Sequence, residues 1–268
     1  MMDISIDGVK LGDIGIRVKE SSSYLGLPAT RDNVVYIPGR HGAYSLGSWL
    51  EPRTINLHCR ILNKKNTREI AETVRMLATL LLDQYGRTKE VKLVMGHEPE
   101  KYYKVKYAGA IPVDKQAHKG DFDLPLVAYD PFAYFLYSAN EITWDKDIPI
   151  MSDVYWGNGI NHFKINENQT LEIYNSGNIV IRPTFIITGS TTSLTLAMNG
   201  KSFSLPSFSN ITYEINGENY TVFKNGVNNF SDKIGNDWLE LSPGINQLTV
   251  SGTGLNIHLT VDYRFKYL

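Results

Sequence analysis

Cysteine is almost missing from this chain. Its 268 residues contain one, Cys59, so neither an intramolecular disulfide nor a paired-cysteine metal site can form. No uninterrupted apolar run approaches the ~18 residues that would suggest a membrane-spanning helix. The first residues, MMDISIDG, lack the basic and apolar regions of a signal peptide. The expectation is a chain made and folded in a cytoplasm. Net charge is also nearly absent: 27 Lys and Arg stand against 28 Asp and Glu, which excludes nucleic-acid or membrane binding by bulk charge. Residues 1–133 hold 19 basic and 16 acidic residues and 134–268 hold 8 and 12, too small a contrast to assign a partner.

Catalytic signatures are missing as well. There is no GxSxG elbow, P-loop or GxGxxG stretch. The six histidines (His41, His58, His97, His118, His162 and His258) stand singly, with no HxH or HExxH pair. No catalytic residue, cofactor or metal is expected. Arg40-His41-Gly42 resembles the triplet of histidine phosphatases, but those place it on the first strand of an alternating α/β chain. Here it follows Pro38-Gly39 in a strand-rich stretch, and a turn is the simpler reading.

What the sequence does contain is one clear helix and many short strands. Asn66 is a good N-cap with Glu69 three residues on, and Ile70, Val74, Leu77 and Leu81 form one apolar stripe. Gly86 supplies a stop, so the spacing predicts a helix over 67–85. Before it, Ile4 and Ile6 lead to an Asp7-Gly8 turn and a return strand from Leu11 to Val18; strands follow at Val34–Ile37 and from Arg53 to Leu62. After it come Glu90–Val94, Tyr102–Tyr107 and Phe122–Tyr129, the last ended by Asp130-Pro131.

The second half is almost helix-free. Asn199-Gly200, Asn216-Gly217 and Asn225-Gly226 mark tight turns between alternating runs at 184–188, 193–198, 201–205, 211–215 and 220–223. Further strands are expected at Asp237–Leu241, Ile245–Val250 and Leu255–Tyr267, the last able to pair within its own half or with the first. The fold class is mainly β with one long helix: an N-terminal β-sandwich or split barrel with the helix, then an antiparallel β-sandwich. The domains are set at 1–135 and 136–268.

The order of these parts resembles the distal tail protein family of long-tailed, non-contractile bacteriophages and prophages. The likeness rests on Tyr36-Ile37-Pro38-Gly39-Arg40-His41-Gly42, the strand TINLHCRIL and the helix, and on the segment from Ala128 to Tyr134. It continues through Asn175-Ser176-Gly177, the run from Arg182 to Gly189, the run from Trp238 to Asn246 and the final strand. The resemblance implies a ring-forming first domain and a galectin-like second domain on the ring's outside. It implies a non-enzymatic hub, a hexamer in the virion's tail tip, with the tail tube and a tail fibre or receptor-binding protein as partners.

Carbohydrate binding is the alternative. Trp144, Trp156 and Trp238 could stack on sugar rings, and Trp156, Asn158 and His162 are the candidate contacts, with Asn161 close by. Trp238 reads equally as core, and the stretch from Trp156 to Asn161 reads equally as a linker loop. A cell-wall hydrolase is a third reading, with no carboxylate pair that sequence alone can single out.

Overall fold

The structure is a computed structural model that describes residues 3–20, 26–62, 66–116, 119–143, 146, 148, 152, 154 and 161–268. By internal contacts the chain divides into two compact units, residues 1–133 with Leu268, and residues 134–267.

In the first unit the strands are β1 (Ile4–Ile6), β2 (Val9–Lys10), β3 (Ile16–Val18), β4 (Thr30–Val35), β5 (Tyr44–Leu50) and β6 (Arg53–Ile61). The helix α1 (Thr67–Leu81) follows, then β7 (Glu90–Met95), β8 (Glu98–Tyr107), β9 (Asp114–Gln116) and β10 (Lys119–Ala128). Seven strands make a sheet in the order β2-β1-β7-β8-β10-β6-β3, with β9 added to β10. Asp7 and Gly8 both take positive φ, +48° and +81°, which closes the two-residue hairpin between β1 and β2. The expected return strand from Leu11 to Val18 is not one strand: β2 alone returns along β1, residues 11–15 turn, and β3 pairs with β6.

Alternation on β6 buries Ile55, Leu57, Cys59 and Ile61, and on β10 it buries Phe122, Leu124, Leu126 and Ala128. Ile70, Leu77 and Leu81 of α1 complete this core, with Val74 only partly buried. Gly120 makes room for the helix: a Cβ there would stand 3.3 Å from the Ile70 side chain. Asn66 caps the helix by accepting from the Glu69 amide at 3.0 Å. The helix ends at Leu81, four residues short of the expected 85. The Asp83 carboxylate accepts from the amides of Tyr85 and Arg87, at 2.9 and 2.8 Å, and so offers the backbone a turn in place of another helical turn.

The second unit begins with β11 (Ala133–Phe135), β12 (His162–Ile165), β13 (Gln169–Asn175), β14 (Thr184–Thr191), β15 (Ser193–Met198) and β16 (Lys201–Leu205). It continues with β17 (Phe208–Asn216), β18 (Thr221–Lys224), β19 (Val227–Asn228), β20 (Gly244–Thr253), β21 (Asn256–Asp262) and β22 (Lys266–Tyr267). Two antiparallel sheets result, β12-β21-β14-β17-β18-β19 and β13-β20-β15-β16. Between them Phe185 of β14 meets Phe203 of β16 edge to face at 6.0 Å. The expected C-terminal strand is divided: β21 runs beside β14 from Thr184 opposite Asp262 to Ser190 opposite Asn256, and β22 pairs with β11.

Asn199-Gly200 and Asn225-Gly226 close two-residue hairpins with positive φ at both residues of each pair. Asn216-Gly217 does not. There the loop runs to Tyr220, which carries the positive φ of +55°. The Gly217 amide bonds to the Pro183 carbonyl at 3.1 Å. The expected strand at Asp237–Leu241 is not a strand either. Leu239 and Leu241 are buried as a strand would bury them, but the backbone carbonyls of Glu240 and Leu241 accept from the Asn199 and Asn175 side chains. Ile234 and Asp237 close the outer edge of β16: Ser204 and Ile234 exchange backbone hydrogen bonds, and the Asp237 carboxylate accepts from the Ser202 amide at 3.2 Å.

Candidate functional site

β4 and β5 pair only with each other among the described residues, and every residue of β4 is exposed. A two-stranded hairpin is marginally stable in water unless something covers it. This one carries Val34, Val35, Tyr36, Ile37, Tyr44, Leu46 and Trp49, all exposed large apolar residues. Its own order comes from few contacts. The Ser48 hydroxyl donates to Asp32 at 2.6 Å, and the Arg40 guanidinium lies 4.3 Å from the Tyr44 ring centre. The Trp49 indole lies against the backbone at Gly47, where an added Cβ would stand 3.3 Å from the ring and φ is +132°. At the hairpin's foot, buried Arg53 donates to the carbonyls of Pro131 and Gly26 at 3.2 and 2.8 Å, fixing where β5 passes into β6.

Arg40-His41-Gly42 falls in the exposed turn of this hairpin, with Arg40 engaged by Tyr44. The triplet is a turn, as its glycines indicate: Gly39 and Gly42 have φ of +80° and +82°. Sequence reasoning missed β5 altogether. Its exposed pattern has no buried alternation to read, although Leu46 and Trp49 beside Ser and Gly were a visible signal.

On the solvent side of the β3-β6-β10 region, Arg60 grips Asp121 through two bonds of 2.6 and 2.7 Å, and Lys19 stands 3.4 Å away. The Arg60 pairing holds the Asp121 carboxyl below the usual carboxylate range. His58 pairs with Asp123 alongside. Cys59 faces the opposite way, into the core, where burial pushes its thiol up to about 12 and leaves it unreactive. Among the described residues no three His, Cys, Asp or Glu side chains are grouped to hold a metal ion.

In the second unit an aromatic cluster gathers around Trp238. Tyr220 meets it edge-on at 5.2 Å and 85°, and Phe230 lies tilted at 6.1 Å and 41°. The Lys233 ammonium, buried and donating to the Gly235 carbonyl at 2.7 Å, sits 4.7 Å from the Trp238 ring centre. Burial lowers the Lys233 pKa from its ordinary value. Arg182 donates to the Tyr220 hydroxyl at 2.5 Å and to Glu240 at 2.6 and 2.9 Å, and Lys201 reaches the other Glu240 oxygen at 2.6 Å. Lys201 first, then Arg182, holds the Glu240 carboxyl below its usual range. Tyr220 is 48% and Phe230 55% exposed. A bulky residue at a positive φ costs about 1–3 kcal/mol, and the other described non-glycine residues in that region are Asp or Asn.

Of the expected sugar contacts, Trp156 and Asn158 lie outside the described residues, as does Trp144. His162 opens β12, exposed, with Nδ1 at 2.8 Å from the Thr260 hydroxyl. Trp238 is half-buried, neither fully core nor open.

Comparison with known proteins agrees with this architecture. Residues 9–128 match the family model of the phage tail protein RIFT-related domain. No curated protein matches the chain by sequence. Among solved structures, the Dit protein of phage SPP1 covers the whole chain and is wholly covered by it, at 15% identity and a TM-score of 0.73. That protein is described as a paradigm of the hub adsorption apparatus in phages infecting Gram-positive bacteria. Chains of the phage P2 baseplate in its activated conformation also match, at 14% identity. The calcium form covers 100% of this chain and 98% of that one at a TM-score of 0.49; the strontium form covers 98% of each at 0.47. The first unit thus matches the phage tail protein RIFT-related domain over residues 9–128, and the chain as a whole has the fold of the phage SPP1 Dit protein.

Proposed function

We propose that this chain is a non-enzymatic structural hub of a phage tail tip, built by self-assembly into a closed ring. The observation that carries the reading is the hairpin of β4 and β5, an apolar two-stranded arm without cover among the described residues. A monomeric protein rarely exposes so continuous an apolar surface, and such patches mark interfaces. In a ring every copy offers its arm to a neighbour through one repeated heterologous contact, and the rotation closes the series. Six copies, with residues 1–135 forming the ring and 136–268 as a peripheral galectin-like domain, is the arrangement we favour. The phage tail family match over the first unit supports this placement in a virion. The tail tube would bind one face of the ring, and tail fibre or receptor-binding proteins the outer domains. Buried area supplies the affinity and no bond is made or broken.

Light scattering together with negative-stain electron microscopy of the purified chain tests this. Closed rings with six-fold averages are expected. A protein that stays monomeric up to high concentration overturns the reading.

A further inference from the structure

The Trp238 cluster is built in a way that packing alone does not require. Tyr220 holds a backbone conformation that asparagine or glycine would adopt with far less strain, yet a large ring stands there, half exposed. Its orientation is fixed by the bond from Arg182, which also lies 5.3 Å from the ring centre. Strain of this kind persists where the surroundings over-determine it, and it gathers at ligand sites.

The surroundings say which ligand. A protein-docking hot spot sheds charged residues from its centre. Here the exposed Tyr220 stands beside Arg182, which with Lys201 is locked on Glu240, and the exposed Phe230 lies against the shared Trp238 ring. Exposed aromatic faces accept the C–H face of a pyranose, and fixed planar donors and acceptors suit its ring hydroxyls. Small-ligand sites combine these two ingredients, apolar walls and a few convergent polar groups. The ion network holds the polar groups in place before a ligand arrives, which lowers the ordering cost of binding.

We propose that Tyr220, Phe230 and Trp238, with Arg182 and Glu240, form a saccharide-binding site that stacks one pyranose unit of a polysaccharide. The site is built from residues other than Trp156, Asn158 and His162, and it does not rest on the hub reading.

The test is an array of immobilised oligosaccharides of neutral hexoses and N-acetylhexosamines, probed with the full chain and followed by titration of the best binder. Tyr220→Asn and Phe230→Ser are compared with the native sequence. At least one oligosaccharide is expected to bind, and each substitution should weaken it tenfold or more. Tyr220→Asn should meanwhile leave the melting temperature unchanged or raise it, a separation that loss of fold cannot mimic. Binding to no member of the array, or binding unchanged in both variants, overturns the proposal. Light scattering of the same samples keeps the two readings apart: rings without saccharide binding defeat this inference alone, and saccharide binding without rings defeats only the hub.

Discussion

Replacing Ile37 and Leu46 together by serine should dissolve the assembly without touching the fold. Both side chains stand on the hairpin, 46% and 59% exposed. Fully burying an aliphatic side chain of this size contributes about 1.5–3 kcal/mol. With roughly half of each surface still open to water, contact with a neighbour recovers about 1 kcal/mol per residue, or ~2 kcal/mol at each interface. At ~1.4 kcal/mol per tenfold change, each contact weakens about thirty-fold, and a closed ring suffers that loss at every joint. Neither residue belongs to the core cluster of the first unit, and the half of each surface already covered within the chain limits the loss of unfolding free energy to about 2 kcal/mol at most. Light scattering over a dilution series reads the assembly, and a thermal melt reads the fold. A double variant that keeps the native assembled mass at every dilution refutes the reasoning. So does one whose loss of unfolding free energy exceeds that limit, since the hairpin would then be part of the core.

Other outcomes follow from packing and charge. Leu77→Ala empties a position 1% exposed under the helix and should cost about 3 kcal/mol, seen as a melting temperature lower by roughly 10 °C in the first unit. Asp232 accepts from Lys224, Tyr213 and Asn229, and Lys224 foremost, then Tyr213, depresses its pKa. Its contribution is therefore complete above the unfolded carboxylate value near ~4 and fades as pH falls through the lower folded value. Asp232→Asn should lose about 1–2 kcal/mol at neutral pH and show a flatter stability profile between about pH 5 and 2 in chemical denaturation. Residues 134–268 expressed alone should give a β-type circular dichroism spectrum and one cooperative melt, and an unfolded spectrum would show that the division of the chain is wrong.

Much of the fold was legible because its signals are local. Asp7-Gly8, Asn199-Gly200 and Asn225-Gly226 each carry their hairpin in two residues, and the bounds of β15 and β16 follow from alternation between them. The helix start was legible at Asn66 for the same reason. Its end was not, since Asp83 resembles any polar residue until its carboxylate is seen bonding two amides. Leu171 and Ile173 of β13 alternate plainly and could have been read. The segment 237–241 misled because its backbone pairing is a single bridge from Leu241 to Ile181, with the Asn199 side chain, distant in sequence, bonding the Glu240 carbonyl beside it. Neither candidate surface could be read directly. The hairpin matters for what it leaves exposed, and the Tyr220 cluster joins residues from three separate segments, of which only Trp238 drew notice, so periodicity marks neither.

The closed edge of β16 has a consequence for crowding. Copies tethered in one particle meet one another at effective concentrations near ~1 mM, whatever their abundance in the cell. At such concentrations an open strand edge is a template for runaway pairing. Ile234 and Asp237 occupy the backbone groups of Ser204 and Ser202 from within the same chain, so this edge has nothing to offer a neighbouring copy. Neighbouring copies therefore cannot extend the four-stranded sheet of the second unit past β16, however closely they are gathered.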